Sequence, residues 1–247
     1  MEHHQDLEAS RPGEWGRLED TDPHVIEGLA ARRRLCQNPW RRLVVLGDTS
    51  GIRPDVVTPG YRRTAWPVRL ATELRRGDRQ LALRNLSRRG VRSSRVRVQQ
   101  MPAALEFRPD LAALACGSTD VVDPGFDVDL FEGEIVRMVM GLRQFGADVV
   151  LVSPFAVGRS GERPELADAL RRRARLLARC TAMVAGRFGA MHVDLTQHPA
   201  VQEHQRQPAL VATEPGQLSS RLHAVLAAQM LCALAAHSYR SAPRKAV

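Results

Sequence analysis

An α/β domain on a five-stranded parallel sheet is the fold class this chain predicts, and three observations predict it. Apolar runs at residues 43–46, 111–116 and 148–152 lack the polar alternation of a half-solvated strand, as expected of strands covered on both faces. Helical patterns fill the stretches between the strands, which is the grammar of βαβ units. Twice a helical stretch ends in Phe-Gly-Ala directly before a strand, at 145–147 and 188–190, and glycine just past a helix is a common stop.

Taken in order, residues 1–23 are polar and acidic and predict a disordered tail, in which His3 and His4 are tail residues rather than a metal site. A short leading helix is expected at 23–35. Residues 43–46 form a strand that breaks into the turn Gly47-Asp48-Thr49, placing a hydroxyl where ligands of open α/β sheets gather. A helix at 65–75, a strand near 81–83 and a third strand at 111–116 follow. The helix at 129–144 carries Phe131, Ile135, Met138, Val139 and Leu142, spaced to make one apolar stripe. A strand at 148–152, a long helix from Pro164, a strand at 191–193 and a last helix at 217–237 complete a single domain over residues 24–238. Residues 239–247 are expected to be a second flexible tail.

Composition narrows the function. With 247 residues and 44% hydrophobic content, the chain can bury a full core. Its net charge of +9 is carried by arginine, because Lys245 is the single lysine. The arginine clusters at 32–34, 75–76, 88–89 and 171–173 fall on several elements, and no nucleic-acid motif or aromatic stacking platform accompanies them, so they read as solvated helix faces and nucleic-acid binding is not expected. Cys36, Cys116, Cys180 and Cys232 lack Cys-x-x-Cys spacing and read as buried small hydrophobes. The start of the chain lacks the basic-then-apolar order of a signal peptide, and the most apolar helical stretch, 222–236, is too short to span a membrane. A cytoplasmic protein without a membrane segment is expected. No metal site or phosphate-binding glycine loop is visible, so no cofactor is expected.

Residues 39–49, Pro-Trp-Arg-Arg-Leu-Val-Val-Leu-Gly-Asp-Thr, resemble block I of the SGNH (GDSL) hydrolases, with Thr49 where that family has its nucleophilic serine. Trp66-Pro67-Val68-Arg69-Leu70-Ala71 resembles the Trp-Ala-x-Arg-Leu-Ala helix that follows block I in actinobacterial-type members. Asn85-Leu86-Ser87-Arg88-Arg89-Gly90 is similar to block II, whose glycine lends a backbone N–H to the oxyanion hole, and Arg108-Pro109-Asp110-Leu111 precedes the third strand as in the family. Block III, Gly-x-Asn-Asp, is matched by Gly117-Ser118-Thr119-Asp120. Val193-Asp194-Leu195-Thr196-Gln197-His198-Pro199 resembles the family's Val-Asp-Leu-x-x-His-Pro, and Leu222-His223-Ala224-Val225 resembles the start of its last helix. Counting back from His223, the Asp-x-x-His pair of block V falls on Glu214 and Gln217, and no Asp-x-x-His occurs between Asp194 and the C-terminus. The resemblance covers roughly residues 23–237 and implies a flavodoxin-like three-layer αβα sandwich, SGNH hydrolase-like, with esterase, lipase or acyltransferase ancestry.

It also implies degenerate chemistry. A serine hydroxyl needs an adjacent base held in the right tautomer. Gln217 cannot accept that proton, and Thr49 adds a methyl group that crowds the attacking oxygen. Gly90, the Thr49 backbone N–H and the Thr119 hydroxyl still offer hydrogen bonds to a carbonyl or oxyanion, although threonine supplies one donor where asparagine supplies two. Asp48, Asp120 and Glu214 are expected near that pocket. A carboxyl pushed to high pKa acts as an acid, as a cyclase or isomerase would use it; alternatively, Asp48 and Asp120 brace loops. Ser50 points elsewhere on a tight turn. His198 and His204 are alternative bases, with His198 matching a family residue outside the triad and His204 expected to be exposed in a polar run; His223 is expected to cap or pack at the last helix. Three functions stay open: a derived protein that binds or transforms a small acyl, ester or polyketide-like molecule; a residual esterase or acyltransferase using Thr49; and a non-catalytic partner or regulator.

Overall fold

Because side chains alternate across a strand, an uninterrupted apolar run feeds both faces of its sheet. In the computed structural model, which describes residues 16–35, 39–48, 54, 56–77, 80–154, 164–205 and 217–241, five parallel strands stand in the order β2-β1-β3-β4-β5. They are β1 (Arg42–Gly47), β2 (Ala82–Asn85), β3 (Leu111–Ala115), β4 (Asp148–Val152) and β5 (Met191–Val193). Leu43, Val45, Ala113, Val150 and Val193 face the core built with α1 (Pro23–Arg32), α2 (Trp66–Arg75) and α8 (Ser220–Ser241). Val44, Leu46, Leu114, Val149 and Leu151 face the other core, built with α3 (Ser93–Glu106), α5 (Val128–Gln144) and α6 (Pro164–Phe188). The short helices α4 (Ser118–Val122) and α7 (Pro199–Gln205) follow β3 and β5. Each fully buried aliphatic or aromatic side chain contributes about 1.5–3 kcal/mol, so two such cores fix the sandwich. No helix among the described residues is long and apolar enough to cross a membrane.

The predicted order of strands and helices is present, with three differences. The helix α3 has no counterpart in the sequence reading: Pro102 interrupts its pattern, and its first residue is capped from a distant part of the chain. Residues 16–22, assigned to the tail, fold onto the domain. A 3₁₀ turn at Glu19–Thr21 places Glu19 at 3% exposure, ion-paired with Arg62 and Arg69, and Asp22 caps α1 by accepting from His24 N (3.0 Å) while also accepting from Tyr61 Oη (2.7 Å). Finally, α8 runs to Ser241, past the predicted end at His237. The tail readings for residues 1–15 and 242–247, and Cys36, lie outside the described residues.

The two ends of β1 are fixed by side chains from elsewhere. At its start the Asp110 carboxylate accepts from Arg41 N (2.7 Å) and Arg42 N (2.8 Å). At its end Gly47 holds φ +138°, and a Cβ there would lie 1.9 Å from Ala115 O, so only glycine lets β1 and β3 close up. The buried carboxamide of Gln100 then clamps Gly47 from both sides, accepting from its N–H (2.9 Å) and donating to its C=O (3.0 Å). Gln100→Leu strands the buried Gly47 N–H and is expected to cost about 2–3 kcal/mol in urea unfolding. A loss below about 0.5 kcal/mol, the ordinary scatter of neutral surface changes, would show that the clamp contributes nothing.

Candidate ligand site at the carboxyl edge of the sheet

Strand order reverses between β1 and β3, and chains leaving two such strands in opposite directions open a crevice at their carboxyl ends. Asp48 leaves β1 at this crevice, and Thr119 and Asp120 stand on α4 just after β3. Asp48 N donates to Ala115 O (3.0 Å), and its side chain, 1% exposed, accepts from Thr119 N (2.6 Å) through Oδ2. Its Oδ1 and the buried Thr119 Oγ1 have no hydrogen-bond partner among the described residues. Burial pushes the Asp48 carboxyl up, the Thr119 N–H opposes that, and the neighbouring Asp120 charge adds to it; the result is a pKa of about 7. Asp48 therefore keeps its proton to a much higher pH than an ordinary aspartate does.

Gly117, which opens α4, has φ +111°, and a Cβ there would sit 2.9 Å from both Phe131 and Pro154. The turn thus packs against α5 while aiming the next N–H groups at Asp48. Asp120 reaches the other way, accepting from Ser93 N (3.0 Å) and Ser93 Oγ (2.7 Å), which caps the first turn of α3. Burial raises its pKa and the Ser93 bonds oppose the rise. Gly90 lies three residues before Ser93, exposed, at φ +75°, with open space where a side chain would be. The same connection is tied to β1 by Arg88 N donating to Gly47 O (3.0 Å). The structure thus brings Asp48, Thr119, Asp120 and the Gly90 connection together.

Gln217 lies three residues before the last helix, whose predicted start at 217 is placed at Ser220. Two residues on, Ser219 forms a parallel bridge with Val56; Ser220 N donates to Val56 O (2.8 Å) and Ser220 Oγ accepts from Thr58 N (2.8 Å). The first turn of α8 meets that of α2, where Trp66 N donates to His223 Nδ1 (3.1 Å). Both helices follow strands of one parallel sheet and start at its carboxyl edge, so Gln217 shares that edge with Asp48 and Thr119. Thr49, Ser50 and Glu214 lie outside the described residues.

The histidines divide by role. His198 Nδ1 accepts from Ala200 N (3.2 Å), capping α7, and its ring meets His24 edge-on at 4.8 Å between centroids. His204 is not exposed, as its polar run suggested, but only 2% accessible. One helical turn separates it from the buried Ala200 and Val201, which turns it inward, where its Nδ1 lies 3.4 Å from Ser219 Oγ. His223 caps α2 rather than its own helix, and burial depresses its pKa to about 3, so its ring is neutral. One pair carries no local sequence signal: Ser153 Oγ, just past β4, lies 2.7 Å from His192 Nε2 on β5. Burial lowers the His192 pKa, but the residue after Ser153 is Pro154, which has no N–H to offer an oxyanion, so the pair serves to tie β4 to β5. No cluster of metal-ligating side chains occurs among the described residues.

The fold has counterparts among known proteins. The GDSL-like lipase/acylhydrolase family matches residues 45–224. Among solved structures, Axe2, an acetylxylan esterase from Geobacillus stearothermophilus, is 17% identical, with a TM-score of 0.57 over 78% of this chain and 94% of its own. The acetyl xylan esterase AlAXEase is also 17% identical, with a TM-score of 0.57 over 76% of this chain and 97% of its own. At such identities the likeness establishes the fold alone. No curated protein matches the sequence significantly.

The buried carboxyl generates a pH prediction. Asp48 has an ordinary value of 3.8 and a native value of about 7, so between these the folded chain holds a proton that the unfolded chain releases. Stability is then lost as pH rises through this window and is level above it. Asp48→Asn keeps an acceptor for Thr119 N–H but removes the titration. Its stability relative to wild type is expected to rise by about 2–3 kcal/mol between pH 5 and pH 8 in paired urea melts. A pH-independent difference would show that Asp48 titrates normally.

Proposed function

The chain belongs to the GDSL-like lipase/acylhydrolase family, and we propose that it no longer runs Ser–His ester hydrolysis but binds or transforms a small acyl, ester or polyketide-like molecule at the β1–β3 crevice. The reading rests on Gln217, which takes the position of the family's histidine six residues before His223. An amide cannot accept the proton of an attacking hydroxyl, and losing such a base costs about 10⁴ to 10⁶ in turnover. Thr49 at the nucleophile position and Thr119 at the oxyanion asparagine position compound the loss. What the crevice offers instead is acid and hydrogen-bonding chemistry. Asp48 keeps its proton to a higher pH than an ordinary aspartate, and with the Thr119 side chain beside it at the crevice end of β1 it suits proton donation toward a carbonyl oxygen or enolate. Proton transfer to such an oxygen is the step of an isomerase- or cyclase-type reaction.

A second reading has its own observation. His204, buried beside Ser219, which stands two residues after Gln217, would serve as the unorthodox base for Thr49 in a residual esterase or acyltransferase.

A fluorophosphonate probe separates the two. The proposal expects no covalent labelling, and turnover of short-chain aryl esters no faster than by an unrelated basic protein. Stoichiometric labelling at Thr49 or Ser50 overturns it and favours the second reading, in which His204→Ala abolishes the labelling.

Restoring the family residues together, as Thr49→Ser, Thr119→Asn, Glu214→Asp and Gln217→His, measures how far the site has diverged. Weak aryl-esterase activity is expected, because the backbone frame is in place while Ser50-Gly51-Ile52-Arg53-Pro54 departs from the usual small-acidic-glycine continuation after block I. Activity at the level of a native esterase would refute deep repurposing.

A further inference from the structure

A cavity of about 440 Å³ lies between α1, α2 and α8, and α1 lies outside the stretch that matches the family. Its floor is the alanine-rich face of α8, Ala224, Ala227 and Ala228, continued by Leu231, and its α1 wall is Val25 and Leu29. A Cβ on Gly28 would lie 2.3 Å from Ala228 Cα, so α1 rests directly on α8 there and the small side chains leave a slot beside the contact. The volume falls within the range of small-molecule pockets.

Ion pairs cross the slot between the α1 and α2 sides. At one end the buried Glu19 carboxylate joins Arg62 and Arg69; at the other Glu73 Oε2 lies 3.1 Å from Arg32 Nε and 3.3 Å from Arg76 Nε. Four guanidinium groups thus face three carboxylates, Glu19, Asp20 and Glu73. Among the described residues the imbalance sits at the Glu73 end, where two arginines share one acid. Two guanidinium groups carry about ten N–H donors between them, and one carboxylate offers about four acceptor sites. Donors are left over beside an apolar slot, in the fork geometry that suits a carboxylate or phosphate.

We propose that this cavity is an accessory site for an anionic amphiphile, with an alkyl chain along the alanine floor of α8 and a carboxylate or phosphate head on Arg32 and Arg76. The head lies at the far end of α2 from Trp66, about 15 Å along the helix from the crevice edge. The site is therefore separate from the crevice and does not rest on the function proposed for it.

Calorimetric titration of the full chain with decanoate, decyl phosphate and decanol tests the assignment. Both anions are expected to bind saturably at one site, at least about tenfold tighter than decanol, the contribution of a charge-assisted pair. The tighter of the two names the head group. Arg76→Gln, at an exposed position, is expected to weaken the anions about tenfold and leave decanol unchanged. Thr72→Trp fills the slot from the solvent side of α2 and is expected to abolish binding of all three while the melting temperature is kept. Failure of both anions to bind, equal affinity for decanol, or binding untouched by either variant overturns the proposal. Neither variant alters the crevice, so the fluorophosphonate result is read independently.

Discussion

A buried carboxyl group, held between the ends of two parallel strands, is the constraint around which the carboxyl edge of this molecule is built. Asp48 can sit there only because β1 and β3 approach through Gly47, whose missing Cβ leaves room for Ala115 O, and because Gln100 satisfies the Gly47 amide that the approach would strand. Gly117 performs the same service on the β3 side, clearing Phe131 and Pro154 so that α4 turns its N–H groups toward Asp48. An unpaired buried carboxylate costs several kcal/mol, and the molecule meets that cost partly with Thr119 N–H and partly by raising the pKa of the group so that it keeps its proton longer.

Frame and chemistry rest on different atoms, so the frame does not depend on the chemistry. The frame uses buried apolar side chains and bonds between backbone and a few polar groups: Asp110 on β1, Asp120 on Ser93, His223 on Trp66. None of these needs a serine at 49, an asparagine at 119 or a histidine at 217. Backbone N–H groups such as that of Thr119 are supplied by whatever residue stands there. The GDSL-family arrangement and its crevice therefore do not depend on which side chains stand at these three positions.

The sequence made the strands and longest helices legible because parity and the 3.6-residue period are local properties. Residues 43–46, 111–116 and 148–152 declare burial on both faces, and the stripe from Phe131 to Leu142 declares α5. What was illegible depended on partners far along the chain. The start of α3 is set by Asp120, 27 residues away; the order of residues 16–22 comes from Glu19 meeting Arg62 and Arg69; His204 is turned inward by its neighbours Ala200 and Val201 in a helix too short to show a period. Candidate site residues were legible as types through the order of the blocks. Their electrostatic state was not: nothing local distinguishes Asp48, with its unpartnered oxygen, from Asp120, whose carboxylate is occupied by Ser93.

The arginine excess shows the same dependence on context. As a bare count it suggests a polyanion partner, yet many of these guanidinium groups are engaged within the fold. Arg173 donates to Val121 O and Asp123 O, stacks on Phe126 at 4.8 Å and so fastens the end of α4 to α6; Arg171 pairs with Asp168 on its own helix. Arg42 lies over Phe107, and Arg62 and Arg69 anchor the residues before α1. Arginine suits these tasks because its planar fork binds carbonyls and carboxylates in a fixed geometry and its charge persists when half buried. Such a pair is balanced when one guanidinium meets one acid. It becomes a binding feature when two meet one acid beside an unfilled apolar slot, as Arg32 and Arg76 do at Glu73, and there the net positive charge of the chain acquires a definite place and shape.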